Sequence, residues 1–137
     1  MNKWVAAATG IGLLVVNSTA QVSATGRPAR FEIALHSMGG SHVSGTALVV
    51  YNAAHHTTTV TLHLHGLTAG IHFAHIHIGR CGGNGSVKTG LAPMQVGRSG
   101  TATSVTTIPS QVTGSALHIN IHGVPGQPLK VVACGNL

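Results

Sequence analysis

The chain has 137 residues with Lys+Arg 7 against Asp+Glu 1, and eleven of its residues are histidine. Aspartate is absent and Glu32 is the sole acidic side chain, which excludes a paired-carboxylate glycosidase site, an oxygen cage for calcium and a Ser-His-Asp triad. Charged residues are 6% and hydrophobic ones 43%, a balance that folds rather than stays disordered, and a site in this chain has to be built from histidine.

Residues 1–20 read as an export signal: Lys3 gives a positive start, Val5 to Val16 is a short apolar run, and Ser18-Thr19-Ala20 offers small residues for cleavage before Gln21. The run is shorter than the roughly 20 residues that span a bilayer, and no second run of spanning length follows, so no transmembrane anchor is expected. The expected product is secreted, periplasmic or otherwise at the cell exterior. In such an oxidising compartment Cys81 and Cys134 favour a disulfide, two free buried thiols being the alternative. Closing so long a loop would stabilise the fold by about 4 kcal/mol in the chain-entropy picture.

Residues 21–28 form a flexible lead-in rich in Ser, Thr, Gly and Pro, and one domain occupies 29–137. Phe31, Ile33 and Leu35 alternate with polar neighbours over Arg30 to His36, the period of a half-buried strand. His42 to Tyr51 is a second strand. Thr57 to His65 is a third, with Val60, Leu62 and Leu64 on one face and Thr57, Thr59, Thr61, His63 and His65 on the other. Ile71 to Ile78 follows as one strand. Gly79 to Gly100, with seven glycines and a proline, reads as a long connection pinned by Cys81. Strands resume at Thr101 to Ile108, Ser115 to His122 and Lys130 to Ala133. No stretch after residue 20 keeps helical periodicity, so the pattern predicts an all-β antiparallel sandwich or flattened barrel of about seven to eight strands.

The histidine spacing carries the chemistry. In His75-Ile76-His77 a strand points both imidazoles to one side while Ile76 faces the core, and imidazole suits zinc, copper, iron and nickel. His118, Asn120 and His122 likewise share a face, and His63-Leu64-His65 is a third such pair. His72, three positions before His75, points the other way unless a bulge intervenes, as a core histidine bonded to backbone does. His36, His42, His55, His56, His63 and His65 read as solvated groups that collect metal loosely at most. The basic residues are scattered and lack an aromatic series, so nucleic acid is not expected as a partner; attraction to an anionic cell envelope explains the charge.

Gly66-Leu67-Thr68-Ala69-Gly70-Ile71-His72-Phe73-Ala74-His75-Ile76-His77 resembles a stretch of the copper/zinc superoxide dismutases. Leu117 to His122 resembles the strand that ends in that family's last copper histidine, and Ala133-Cys134-Gly135 resembles its C-terminal half-cystine. The resemblance covers most of residues 60–137. It implies a Greek-key sandwich, one copper ion on His75, His77 and His122, His72 bracing the copper site, and a Cys81–Cys134 bridge. His118 is the spare candidate for a fourth ligand or proton donor.

No histidine lies between 78 and 117, so zinc is not expected in that family's usual site. Val131 stands where the family has a superoxide-guiding arginine, which leaves the adjacent Lys130 as the candidate guide. The AHIH stretch ending at His77 and Asn120 to His122 also resemble, more weakly, the chordin-like domain of exported proteins, a family without an established catalytic role. The resulting expectation is an exported copper-binding oxidoreductase that dismutates superoxide without the zinc site. A non-catalytic copper- or zinc-binding protein of the same fold is the alternative, and a sandwich with vestigial histidines the third reading.

Overall fold

Alternation of apolar and polar side chains, short Gly-rich turns and an abundance of β-branched Val, Ile and Thr direct this chain to satisfy its backbone in ladders of antiparallel strands. The computed structural model describes residues 28–113, 116–124 and 127–137. The predicted export segment 1–20 and most of the lead-in lie outside the described residues. The strands are β1 (Ala29–Ser37), β2 (Ser44–Asn52), β3 (Thr57–His65), β4 (Gly70–His72), β5 (Ala74–Ile78), β6 (Val87–Gly90), β7 (Met94–Val96), β8 (Ala102–Ile108), β9 (Leu117–Val124) and β10 (Gln127–Asn136).

Eight strands form one curled antiparallel sheet in the order β6-β5-β9-β10-β1-β2-β3-β8, and β4 with β7 forms a separate two-stranded ribbon. The all-β sandwich or flattened barrel expected from the pattern is therefore what the chain adopts. The sheet divides into two four-stranded halves, β8-β3-β2-β1 and β10-β9-β5-β6. They meet where β1 pairs with β10 through only His36↔Cys134 and Ser37↔Ala133. The chain crosses from one half to the other after β3, returns after β6 and crosses again after β8, the long connections of a Greek key.

Two expectations need correction. Residues 79–100 are not one long connection: Val87–Gly90 pairs with β5 and Met94–Val96 pairs with β4. Glycine-rich sequence masked these short strands, because a glycine removes the alternation that marks a strand without preventing its ladder. Residues 71–78 are not one strand either. The chain breaks at Phe73, so β4 joins the ribbon and β5 enters the main sheet.

The inner faces of both halves share one core. Ala47, Val49, Val60, Leu62 and Leu64 come from one side, and Ala74, Ile76, Ile119, Ile121 and Val132 from the other. Fully burying each of the larger of these side chains is worth about 1.5–3 kcal/mol, and with Phe31 and Phe73 exposed the core is aliphatic. Segment 91–93 stitches the far edge closed: the Ala92 N–H donates to Thr106 Oγ1 (2.8 Å), and Ser104 Oγ donates to the Ala92 carbonyl (3.0 Å). At the joint between the halves there is room only for glycine. A Cβ on Gly135 would stand 2.6 Å from the Ala34 carbonyl oxygen and 2.8 Å from Leu35 Cδ2.

Candidate metal centre

Strand alternation decides which side chains meet. On β5, Ala74 and Ile76 enter the core, which turns His75 and His77 to the opposite face. On β9, Ile119 and Ile121 do the same and turn out His118, Asn120 and His122. The β5–β9 register sets His75 opposite Asn120 and His77 opposite His118. A face opposite the core is ordinarily wet, yet His118 is 0% exposed, Asn120 6% and His122 7%. The β5–β6 loop, residues 79–86, meets this face at His118 and His77 through the Gly79 and Gly85 carbonyls. The Cys81–Cys134 disulfide ties it to β10, and the Cys81 N–H donates to Asn136 Oδ1 (2.9 Å).

His75, His77 and His122 bring one ligand nitrogen each to within 4.8 Å of one another. Their ring centroids are 5.0 Å apart for His75 and His122, 5.7 Å for His77 and His122, and 5.8 Å for His75 and His77, all steeply inclined. His77 Nδ1–H donates to the Gly85 carbonyl (2.9 Å), which fixes its tautomer and leaves the Nε2 lone pair turned inward. His77 Nε2 and His75 Nδ1 are buried and have no hydrogen-bond partner among the described residues. Burial, and secondarily the neighbouring His77, lowers the His75 pKa from the ordinary histidine value and favours its neutral, ligating form. Buried acceptor nitrogens converging without a donor are costly unless something positive joins them. The residues present therefore fit a borderline cation, and their all-imidazole character suits copper, zinc or nickel.

His72 lies on the other side of the chain break, 1% exposed. Its Nδ1 is 3.0 Å from the His122 carbonyl oxygen and its Nε2 is 2.9 Å from that of Thr68, so it links the turn before β4 to the backbone of β9. His118 packs its ring against His77, with centroids 5.3 Å apart and 21° between planes, and donates Nδ1–H to the Gly79 carbonyl (2.9 Å). It stays outside the group of three. Lys130 is exposed on β10, preceding the residue paired with His122, and its stem runs beside the Gly39 turn.

Three of the remaining histidines lie on β3 or the β2–β3 turn, away from the group. His65 Nε2 shares a hydrogen bond with Ser44 Oγ (2.8 Å), His63 Nδ1 with Thr103 Oγ1 (3.2 Å), and His56 Nδ1 with the Tyr51 hydroxyl (3.4 Å). Sequence reasoning missed the carbonyls of Gly79 and Gly85, because a backbone oxygen has no side-chain signature. Asn120 was visible as a neighbour on the histidine face but not as a buried acceptor, and its Oδ1 has no partner among the described residues.

A family model, the CHRD domain, matches residues 35–127, well over half of the chain. The chain belongs to the CHRD domain family. The matched span runs from β1 into β10 and contains His75, His77, His118, His122 and Cys81, while Cys134 lies beyond it. Of the two resemblances in the sequence, this is the one a family model supports; that to the superoxide dismutases rests on its motifs alone. No curated protein matches the chain.

Proposed function

We propose that this CHRD domain is an exported metal-binding protein that holds one copper ion on His75, His77 and His122. The observation that carries the reading is the approach of three ligand nitrogens to within 4.8 Å, with a disulfide-tied loop holding His77. His75 Nδ1 and His77 Nε2 are buried without a hydrogen-bond partner among the described residues, and the Gly85 carbonyl and the His72 link to the His122 backbone hold the rings in place. Copper stands above its neighbours in affinity for such a donor set. Export is supported by the leader pattern, by the disulfide and by the extracellular occurrence of CHRD domains.

A second reading, superoxide dismutation, is favoured by the half-buried state of His75 and His77, whose rings border solvent although His75 Nδ1 and His77 Nε2 are themselves buried. Bound copper would supply one-electron chemistry. The chain contributes a net positive charge that attracts anions, and Glu32 is its sole acidic side chain.

The deciding experiment loads the purified protein with copper, measures stoichiometry, records the electron paramagnetic resonance spectrum and assays superoxide removal. One ion per chain with a nitrogen-rich signal that disappears in His77→Ala and His122→Ala supports the binding reading. Turnover that vanishes in the same variants adds the enzyme. Absence of stoichiometric metal overturns both.

A further inference from the structure

We propose that the Cys81–Cys134 disulfide is a redox latch on the metal site, so that its reduction by a dithiol lowers metal affinity. The inference rests on the metal-binding reading above and concerns how that site is controlled.

The latch is visible in what loop 79–86 does. Its two ends supply the carbonyls that orient two imidazoles on the histidine face, Gly79 to His118 Nδ1–H and Gly85 to His77 Nδ1–H, each at 2.9 Å. A metal-binding histidine depends on such a partner for tautomer and orientation, and loss of the partner weakens metal binding. Between those carbonyls, the loop is fastened to β10 at Cys81, by the disulfide and by the N–H donated to Asn136 Oδ1. Within the sheet, Cys134 pairs with Asn120, which in turn pairs with His75, so the disulfide starts from the same cross-strand row as a ligand.

Remaining restraints on the loop are weaker. Gly79 donates its N–H to the Ala116 carbonyl (2.7 Å), Ile78 to Ser86 (3.0 Å) and Gly83 to Arg80 (3.0 Å). The last two lie within the hairpin itself and hold its shape rather than its place over the face. The loop also has to sit close. A Cβ on Gly85 would overlap the Ile78 carbonyl oxygen, so any side chain there moves the carbonyl that His77 uses.

The chemistry balances as thiol–disulfide exchange. A thiolate of an external dithiol attacks the Sγ of Cys81, the residue that is half-buried while Cys134 is 2% exposed, and the S–S bond breaks with Cys134 as leaving thiolate. The second thiol of the dithiol then displaces Cys81. Two electrons have passed to the protein, which gains two protons as Cys81 and Cys134 become thiols, and the dithiol leaves as its disulfide.

The test uses Zn²⁺ as the probe, because thiols reduce Cu²⁺ whereas zinc is redox-inert, and the double-serine variant controls for zinc held by the freed thiols. Zn²⁺ affinity is measured by competition with a chromogenic chelator for the oxidised protein, the protein reduced with a phosphine, the Cys81→Ser/Cys134→Ser variant and Gly85→Ala. Circular dichroism follows the fold of each. The latch requires one Zn²⁺ per oxidised chain, an affinity about 10–100-fold lower in the reduced and double-serine proteins, and recovery on reoxidation of the reduced protein. Gly85→Ala, with its disulfide intact, should lose affinity in the same range, which keeps the test decisive if the double variant unfolds. Equal affinity in the oxidised protein and in either the folded reduced protein or Gly85→Ala overturns the latch and leaves the metal site standing. No Zn²⁺ on any form overturns the metal-binding reading itself.

Discussion

His77 and His118 face each other across the β5–β9 pair with ring centroids 5.3 Å apart, and each donates its Nδ1 proton to a carbonyl of the same loop. Two imidazoles held in one tautomer by one loop turn their Nε2 atoms away from that loop's carbonyls, yet only His77 belongs to the group of three. The distinction separates ligand from support and gives the first prediction. His77→Ala should abolish stoichiometric copper binding, whereas His118→Ala should retain one ion at reduced affinity. Equilibrium dialysis with metal analysis checks both, with His63→Ala, on the far half of the sheet, as the unchanged control.

Stability of the metal-free protein should fall on acidification, and His75 sets the direction. Its pKa in the folded state lies below the ordinary histidine value of 6.5, so as the pH falls an unfolded chain takes up the proton first. The contribution is fully present above that ordinary value and is lost as the pH drops through the lower folded value. Metal leaves in the same direction, because a ligating imidazole has to be neutral. Urea midpoints at about pH 8 and about pH 5 should show the loss, and His75→Gln should reduce the difference between them.

Gly135→Ala should destabilise the fold by about 1–3 kcal/mol through overpacking. The added methyl meets the Ala34 carbonyl oxygen, Leu35 Cδ2 and Ile33 Cγ2 at 2.6–2.9 Å, at the seam where the halves meet. Denaturant unfolding measures it, and Gly40→Ala makes an informative contrast. That site is open, and the cost there comes only from a φ of +71°.

Removing the disulfide should cost roughly 2–5 kcal/mol, since 53 positions separate its cysteines. The double serine variant compared with the oxidised protein in urea gives the number. A loss well under 1 kcal/mol would mean that the bridge serves the loop more than the fold.

Much of this architecture was legible in the chain. The alternation in β1, β2, β3, β8 and β9 identified those strands, and the i, i+2 spacing of His75 and His77 identified their shared face. The motif resemblance linked that pair to His122, more than forty positions away, which periodicity by itself does not do. Long-range register is a tertiary property: nothing local to His118 says that it will stand opposite His77. The short strands at 87–90 and 94–96 escaped because they are defined by their partners, β5 and β4, rather than by their own side chains. The carbonyl supports escaped because glycine advertises freedom, while at Gly85 its use is the lack of a methyl group.

The histidine group lies on the reverse of the surface that packs the core. Ligand identity is thereby decoupled from foldability: exchanging His75 or His77 leaves Ile76 and its aliphatic neighbours where they were. Evolution can retune, swap or discard the coordinating groups of such a domain one codon at a time without first redesigning its interior.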